Sequence, residues 1–352
     1  MAQRKVRYGI IGAGMIANFH AKAIGAVEDA QLTAVCGNDP ARAEAFARKH
    51  GIAFYNRFDM FLERAPIDAV TIATPTGLHA DVAIPAARAG KHVLCEKPLD
   101  ATPEKSWSIV EACRENGVIL APIFQFRFGA GAMKMKRAID AGRFGRILFV
   151  SGHIKWWRSQ EYYDSGAWRG TRALGGGGCL MNQSIHTIDL MIHFAGAPEQ
   201  VFGYTATRTH AIEVEDNACA AIRFRNGALG VIEASVSCAP GFPLRIEVSG
   251  ERGSAAIEGD SIVEWRFVDS DPGDAEILAD IGKGGQLGNG ASDPKAIDVE
   301  GHRLQIADLT RAILTASAPA IDGGEAVLPV ELICGIYDSM KTGKPHVFGT
   351  RA

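Results

Sequence analysis

Hydrophobic and polar positions change their periodicity along the chain, and this change divides the chain into two parts. In the first part, short apolar runs alternate with segments whose apolar residues recur at helical spacing. The apolar runs are residues 8–11, 32–36, 69–73, 92–95 and 118–121. The helical segments are residues 15–27, 41–50, 78–89 and 103–116. Strands and helices in alternation predict crossover connections and an α/β domain with a doubly wound parallel sheet over residues 1–122.

Beyond residue 123, long runs that alternate apolar and polar residues replace this pattern. These runs are residues 147–157, 200–207, 218–225, 228–237, 244–249 and 255–267. Helical patterns cover residues 129–141, 301–318 and 329–341, and glycine-rich residues 281–291 predict a mobile loop. We expect an α+β domain over 123–352 with a large, mostly antiparallel open sheet, whose C-terminal helices are free to pack back on the first domain.

Composition and charge exclude several classes of protein. The chain has 352 residues, of which 47% are hydrophobic, and a formal net charge of −3, so nothing suggests a nucleic-acid or anionic-membrane partner. No apolar run reaches the about 18 residues of a membrane helix, and no signal peptide is apparent. The seven cysteines include no C-x-x-C pair. We therefore expect reduced thiols, no metal site and a cytoplasmic location.

The turn after the first predicted strand has the pattern G-x-G-x-x-A. Gly12 permits a tight turn, Gly14 lets backbone approach a pyrophosphate, and Ala17 keeps the helix close to the sheet. The helix that begins with Met15 and Ile16 offers free N–H groups to phosphates. The flanking strand and helix favour a dinucleotide site over an ordinary strand–helix turn.

The end of the second predicted strand is where a dinucleotide-binding domain grips the adenosine ribose. Asn38 can hydrogen-bond a ribose hydroxyl, and Arg42 can meet a 2′-phosphate. Asp39 is either a ribose ligand or the cap of the next helix. Because only one arginine is in range, NAD is favoured over NADP, and the choice stays open.

Two further strand ends should border the same crevice. Thr74, Pro75 and His79 follow the predicted strand 69–73, where the strand order should reverse. We interpret His79 as a helix-start or packing residue at this cofactor crevice. Lys97 follows the next strand, and Pro98 restricts its backbone. Lys97 is a candidate for contact with a reacting oxygen, and a surface turn is the alternative.

A second notable stretch is the glycine run 175–178 and the helical pattern that begins at Cys179. Asn182, His186 and Asp189 are four and three residues apart, so we expect them to share one helix face. Asn182 and His186 are candidates to point at a substrate, although a single helix histidine is more often structural. We expect Asp189 to hold a buried ring or a neighbouring loop.

These motifs together resemble the Gfo/Idh/MocA family of NAD(P)-dependent sugar and inositol oxidoreductases. The resemblance rests on GIIGAGMIA, TPTGLH, CEKPL and WRG…GGGGCLMNQSIHTIDL, which appear in family order over essentially the whole chain. It implies oxidation of a secondary alcohol of a sugar, inositol or sugar derivative, or reduction of the ketone. The motifs do not identify the sugar.

The resemblance also implies roles for individual residues. Lys97 would touch the substrate hydroxyl and the nicotinamide ribose, and His186 would be the general acid/base. Asn182 stands where the family usually has aspartate, so it can orient substrate but cannot accept a proton. Trp168 and Arg169 match a Trp-Arg pair near the cofactor.

Other candidates surround these positions. Glu96 and Gln125 are assigned to the cofactor site, and we expect Glu96 to fix its own loop rather than take part in the chemistry. Arg127, Trp156 and Arg158 are assigned to the substrate, because aromatic faces pack on sugars and arginine suits carboxylate or phosphate. An arginine that binds an anion would indicate an acidic or nucleotide-linked sugar. The alternative is that the aromatic residues fill a domain junction or subunit interface.

The predicted antiparallel sheet also has a face that its helices cannot cover. Phe202, Ile222, Phe224 and Ile232 are apolar strand residues that need burial. We therefore expect a homodimer or homotetramer packed through this sheet. Two other functions stay open, a nicotinamide-dependent glycosidase of the same family and a dinucleotide-binding sensor without turnover.

Overall fold

The structure is a computed structural model that describes residues 4–281 and 299–349. The chain divides into two compact units. The first unit contains the described residues up to Gln125 together with Val299–Val327. The second unit contains the described residues between Phe126 and 281 together with those from Leu328 to the end. Apart from Ile281, the predicted loop 281–291 lies outside the described residues. Within the two described ranges, the helices are too short or too polar to cross a membrane.

The first unit contains a six-stranded parallel sheet with the order β3-β2-β1-β4-β5-β6. Its strands are β1 (Val6–Ile11), β2 (Ala30–Cys36), β3 (Ala53–Tyr55), β4 (Ala69–Ile72), β5 (His92–Cys95) and β6 (Leu120–Pro122). Its helices are α1 (Met15–Gly25), α2 (Pro40–His50), α3 (Phe58–Arg64), α4 (His79–Arg88), α5 (Pro103–Glu115) and, late in the chain, α11 (Glu300–Thr315). This is the doubly wound order of dinucleotide-binding domains, as predicted.

Helix α11 belongs to the core of this first unit, although it lies far away in sequence. Ile306 and Leu309 are buried in one cluster with Val6 and Leu94 of the sheet. The buried hydroxyl of Tyr8 lies 2.9 Å from Thr310 Oγ1, which joins β1 to α11. One face of the parallel sheet is therefore covered by α1 and α11 together.

The second unit contains an eight-stranded sheet with the order β13-β12-β11-β7-β10-β9-β8-β14. Its strands are β7 (Ile147–Lys155), β8 (Pro198–Ala206), β9 (Asn217–Phe224), β10 (Leu229–Ser235), β11 (Arg245–Gly250), β12 (Gly253–Glu258), β13 (Ser261–Phe267) and β14 (His346–Val347). Its helices are α6 (Ala130–Asp140), α7 (Gln160–Asp164), α8 (Arg172–Gly175), α9 (Ile185–Ala195), α10 (Asp274–Asp280) and α12 (Leu328–Thr342). Among the described strands of this second sheet, only β7 and β10 pair in parallel, so its predicted mostly antiparallel character is confirmed.

One predicted strand of this sheet is wrong. Residues 255–267 form two antiparallel strands, β12 and β13, rather than one run. The chain reverses at Gly259 and Asp260, where Gly259 has a φ of 63° that suits a residue without a side chain. The apolar alternation continues through both strands, so it concealed the turn.

Helices α9 and α12 cover one face of the sheet at close range. A Cβ on Gly152 of β7 would lie 2.5 Å from Met191 Sδ of α9, and a Cβ on Gly203 of β8 would lie 2.9 Å from Ile336 Cγ2 of α12. Both glycines therefore allow a helix to approach the strand closely.

The residues predicted to need a partner subunit lie mostly on this covered face. Ile222, Phe224 and Ile232 are only 3%, 0% and 1% exposed within the single chain, so the expectation for these three is wrong. Phe202 lies on the other face, where its ring packs edge-on against Tyr204 at 5.3 Å. Tyr204 of β8 is 64% exposed, and Leu229 of β10 is 48% exposed.

Candidate active site

Three sequence motifs of the first unit lie at one edge of the parallel sheet. The glycine turn follows β1, Thr74 and Pro75 follow β4, and Glu96 and Lys97 follow β5. Strands β1, β4 and β5 are neighbours and run in parallel, so their carboxyl ends share an edge. Ligands of such sheets bind beyond this edge.

The glycine turn has the geometry of a phosphate-binding loop. Gly12 has a φ of 101°, and a Cβ there would lie 2.6 Å from the carbonyl oxygen of Ala73. Gly14 precedes the first residue of α1, and a Cβ there would have no described atom within 4 Å. Ala17 is fully buried against the sheet. The loop is therefore closed on the sheet side and open at Gly14, as the approach of a pyrophosphate to the N-terminus of α1 requires.

The predicted ribose residues lie in an exposed turn between β2 and α2. Asp39 caps α2, because its Oδ1 accepts a hydrogen bond of 3.1 Å from the Arg42 N–H, and this alternative is confirmed. The Arg42 guanidinium lies 3.7 Å from Asp39 Oδ2, and both side chains are more than half exposed. Asn38 is exposed as well. The turn therefore presents an amide, a carboxylate and a guanidinium to a ribose, and their predicted cofactor contacts stay predictions.

His79 joins the loop after β4 to the loop after β5. Its Nδ1 lies 2.9 Å from the Pro98 carbonyl oxygen, and its Nε2 lies 3.0 Å from the Thr74 carbonyl oxygen. The ring is 1% exposed, so the structure places it as a packing residue at the start of α4. His79 therefore holds the two loops at this sheet edge together by contacting the carbonyl oxygens of Thr74 and Pro98.

Glu96 is held inside the first unit by two histidines. Its Oε1 lies 2.9 Å from His20 Nε2 of α1 and 3.4 Å from His302 Nε2 of α11. Its Oε2 accepts a hydrogen bond of 3.2 Å from the Lys97 N–H. Burial acts to raise the pKa of Glu96, but the two histidines outweigh burial and hold this pKa well below its usual range. The half-buried Lys97 therefore follows a fixed, buried carboxylate.

Gln125 packs at the start of α11. A Cβ on Gly301 would lie 2.9 Å from the Cβ of Gln125, so a glycine is needed for this close contact. The Gln125 side-chain oxygen is buried and finds no hydrogen-bond partner within the described ranges. The amide oxygen of Gln125 is therefore a buried hydrogen-bond acceptor without a donor among the described residues.

In the second unit, the glycine run leads into a π-helical turn, Cys179–Ser184, followed by α9. Glu215 caps this turn, because its carboxylate accepts from Gly178 N–H at 3.1 Å and from Leu180 N–H at 3.0 Å. Burial raises the pKa of Glu215, although these backbone contacts lower it in part. A Cβ on Gly178 would lie 1.8 Å from the Glu215 carbonyl oxygen, which explains the glycine. Single π-helical turns are frequent at functional sites.

The two predicted catalytic residues of the second unit lie on this turn and on α9. The imidazole of His186 is 6% exposed and stacks on the Phe126 ring at 4.6 Å. Asn182 is half-buried, and its N–H donates to the Gly178 carbonyl oxygen at 2.9 Å. The stacking restrains the plane of the imidazole, and the proton-transfer role of His186 stays a prediction.

Asp189 of the same helix pairs with Arg127. The guanidinium donates two hydrogen bonds to the carboxylate, at 2.8 and 2.7 Å, and Arg127 and Asp189 are 8% and 0% exposed. The expected structural role of Asp189 is thus visible as a bidentate buried ion pair. The substrate contact predicted for Arg127 stays a prediction, and the pair shows that this guanidinium already holds a carboxylate.

Tyr162 gathers the cationic and aromatic candidates of the second unit. The guanidinium carbon of Arg169 lies 4.3 Å from the Tyr162 ring centre, and that of Arg158 lies 5.5 Å from it. Arg169 also lies 4.9 Å from the ring of Trp168, and Arg158 lies 5.2 Å from the ring of Trp156. Two cations thus stack around one phenol ring.

The group of side chains around this ring is called the Tyr162 cluster here and consists of Tyr162, Tyr163, Trp156, Arg158, Trp168 and Arg169. Several buried hydrogen-bond donors of this cluster lack an acceptor. Trp156 Nε1, Tyr163 OH and Arg169 Nε are buried and have no hydrogen-bond partner in the part of the chain that the structure describes. The Gln183 amide lies 3.5 Å from the Tyr162 hydroxyl, and Gln183 directly follows Asn182. Unfilled donors beside two guanidiniums suit an anionic ligand.

The sequence did not reveal four residues that shape these sites. His20 and His302 hold Glu96, Glu215 caps the π-helical turn, and Tyr337 donates to Glu215 at 2.9 Å. Each lies tens of residues away from its partner, so local patterns carry no signal for the pairing. The local signal that the sequence does carry is the position of His20 within the helical pattern 15–27, directly after the glycine turn.

Comparisons with known proteins agree with both halves of the chain. Residues 6–124 match the model described as "Oxidoreductase family, NAD-binding Rossmann fold", and residues 132–256 match the "GFO/IDH/MocA C-terminal domain". The scyllo-inositol 2-dehydrogenase (NAD(+)) of Bacillus subtilis is 35% identical over 265 residues, which cover 72% of this chain and 74% of that protein. The inositol 2-dehydrogenase of Rhizobium meliloti is 32% identical over 273 residues, covering 76% and 79%.

A solved structure resembles the chain over nearly its whole length. The WlbA dehydrogenase from Bordetella pertussis, in complex with NADH and UDP-GlcNAcA, has a TM-score of 0.88 and is 33% identical. The match covers 99% of this chain and 100% of that chain.

Proposed function

Because the chain belongs to the Gfo/Idh/MocA family of NAD(P)-dependent oxidoreductases, we propose that it oxidises a secondary alcohol of a sugar or sugar derivative, or reduces the corresponding ketone. The observation that carries this proposal lies in the first unit. Lys97 follows β5 at the sheet edge where the glycine turn opens at Gly14. A cation beside a dinucleotide loop is what stabilisation of a reacting oxygen requires.

The proposed chemistry assigns one role to each residue. A nicotinamide cofactor held at the glycine turn of Gly12 and Gly14 would supply the hydride acceptor for oxidation of the alcohol and, in its reduced form, the hydride donor for reduction of the ketone. Lys97 stabilises the developing alkoxide through a charge-assisted hydrogen bond, and His186 takes the hydroxyl proton. Asn182 orients the substrate, since an amide does not accept a proton at neutral pH. In the reverse direction, His186 returns the proton to the carbonyl oxygen.

The substrate we propose is a sugar that carries an acidic group, as a nucleotide-linked sugar acid does. The Tyr162 cluster supports this choice, because Arg158 and Arg169 bring two cations to one ring beside unfilled donors. A neutral inositol would leave those donors without an acceptor, which costs about 1–3 kcal/mol for each buried group. The ligand of the Bordetella enzyme, UDP-GlcNAcA, is of the acidic class.

The test compares two lysines at opposite ends of β5. Lys97→Ala should abolish cofactor reduction, and Lys91→Ala should leave it unchanged, because Lys91 lies before β5 and contacts the Ile67 carbonyl oxygen at 3.0 Å. Substrates would be inositols, neutral nucleotide sugars and nucleotide-linked sugar acids. Release of the aglycone from a chromogenic glycoside without net cofactor reduction would indicate a glycosidase. Cofactor binding without turnover of any substrate would indicate a sensor.

We also propose that the exposed face of the second sheet joins copies of the chain into a homodimer or homotetramer. Tyr204, Leu229 and Phe149 lie on the strands of this face and are 64%, 48% and 38% exposed. Exposed apolar side chains in this number favour a protein partner over water. The molar mass in solution, from light scattering, tests the assembly.

A further inference from the structure

The strongest unassigned feature of the molecule is the cluster of His20, Glu96 and His302 in the first unit. The three residues come from α1, the end of β5 and α11, and they are 0%, 8% and 2% exposed. Both histidines direct Nε2 at the same carboxylate oxygen, at 2.9 Å for His20 and 3.4 Å for His302. Their rings are tilted against each other, with centres 5.4 Å apart.

The direction of the hydrogen bonds in this cluster follows from chemistry. A carboxylate only accepts, so His20 Nε2 carries the proton and donates to Glu96. His20 Nδ1 is then an acceptor, and the hydroxyl of the buried Thr71 lies next to it and donates. His20 is thereby fixed in one tautomer and one ring orientation. His302 Nε2 lies 3.4 Å from the same Oε1, within contact distance but without a hydrogen bond.

Glu96 links the two histidines to Lys97, the next residue in the chain. Its Oε2 accepts from the Lys97 N–H at 3.2 Å, so the two carboxylate oxygens connect the histidines to the lysine backbone. From the other side, His79 Nδ1 lies 2.9 Å from the Pro98 carbonyl oxygen. The backbone is therefore restrained at two neighbouring positions, the N–H of Lys97 by Glu96 and the carbonyl oxygen of Pro98 by His79.

We propose that His20 and His302 are positioning residues, which set the orientation of Lys97 through Glu96. The inference rests on the proposed role of Lys97. The arrangement connects α11, which lies about 200 residues away in sequence, to Lys97 through the Glu96 carboxylate. It also places a fixed, buried carboxylate directly before Lys97 in the chain. Displacement of a catalytic group by about 1 Å can lower turnover about 100-fold.

A metal ion is the competing occupant of this cluster. The three ligand atoms lie within 4.8 Å of one another, which is close enough to hold an ion. In that case both His20 Nε2 and His302 Nε2 would be deprotonated ligands. Metal analysis of the purified protein, together with turnover after chelation, separates the two models. A stoichiometric ion whose removal abolishes turnover would overturn the positioning role.

The variants use His302 because its position allows a matched series. His302→Gln keeps an N–H donor near Nε2, the atom that lies 3.4 Å from Glu96 Oε1, whereas His302→Asn places its donor near Nδ1, away from the carboxylate. Neither ring nitrogen of His302 has a hydrogen-bond partner within the described ranges, so the contact with Glu96 is one of proximity and charge. Tyr8→Phe is the control, since it removes a different buried polar link between the sheet and α11. We expect His302→Asn to lower kcat about 10- to 100-fold with the cofactor dissociation constant and KM nearly unchanged. His302→Gln should retain most turnover, and Tyr8→Phe should keep wild-type kcat.

Hydrogen exchange supplies a readout that does not depend on turnover. The Lys97 amide should exchange faster in His302→Asn and His20→Leu than in Tyr8→Phe, because its acceptor has lost its support. Equal kcat in His302→Asn and His302→Gln, or unchanged Lys97 exchange in both histidine variants, would overturn the inference. If Lys97→Ala retained turnover, the proposed function itself would fail, and the two failures are therefore distinguishable.

Discussion

The buried pair of Arg127 and Asp189 provides a direct test of how the second unit is held together. Asp189→Asn removes the charge of the carboxylate but keeps its shape, and the buried Arg127 guanidinium loses the charge of its bidentate partner. The pair forms two short hydrogen bonds, and the side chains of Arg127 and Asp189 are only 6% and 0% exposed. Loss of one partner of such a pair costs about 3–5 kcal/mol of unfolding free energy.

An exposed ion pair of the same unit gives the control for this prediction. Arg146 and Glu251 are 82% and 39% exposed, so Glu251→Gln should cost about 0–1 kcal/mol. The combined change Arg127→Met with Asp189→Leu should restore most of the loss, because apolar residues of similar volume replace both charges. Urea denaturation followed by circular dichroism would measure the wild-type protein and the three variants, with the transition of the second unit analysed separately.

The reasoning fails if Asp189→Asn loses no more stability than Glu251→Gln. Arg127 would then be available to another anion, and the substrate contact predicted from the sequence would regain support. A large loss combined with unchanged KM would identify Arg127 as a structural residue.

Three further predictions concern other parts of the molecule. Gly12→Ala should destabilise the first unit, because of its φ of 101° and the contact with Ala73, whereas Gly14→Ala should keep wild-type stability and weaken dinucleotide binding at least about tenfold by calorimetry. Burial, with a further contribution from Arg127, lowers the pKa of His193 to about 3, so the unfolded chain binds a proton between about pH 6.5 and 3 that the folded chain does not. The free energy of unfolding should therefore decrease as the pH is lowered from about 6.5 to 3, and a smaller decrease in His193→Gln, measured by urea denaturation, confirms the assignment. Tyr204→Glu should dissociate the proposed oligomer in light scattering, and an unchanged molar mass would exclude this face.

Local chemistry allowed much of the first unit to be predicted. Apolar runs located the central strands, and capping residues located helix starts, because both signals act within a few residues of the chain. Thr102 caps α5 by accepting from the Lys105 N–H at 3.3 Å, and Asp39 caps α2 in the same way. The short strand β3 and helix α3 were missed, because only three and seven residues carry their patterns.

Long-range pairing could not be predicted from the sequence. The glycine run indicated a close approach to the helix start, but only the structure shows that Glu215 is the group approached. Helical spacing placed Asn182 and His186 on one face, whereas the π-helical turn at Cys179–Ser184 changes the angle between successive residues. The partners of Glu96 come from helices on either side of it in sequence. These pairings depend on tertiary packing, which a single sequence specifies but does not display.

Transfer of deuterium from a substrate labelled at the reacting carbon tests the central claim most directly. The wild-type protein should place the label on the reduced nicotinamide, as mass spectrometry of the cofactor would show. Lys97→Ala should bind the cofactor with nearly wild-type affinity and transfer no label. Label transfer by Lys97→Ala at a rate within a few-fold of the wild-type rate would contradict the account.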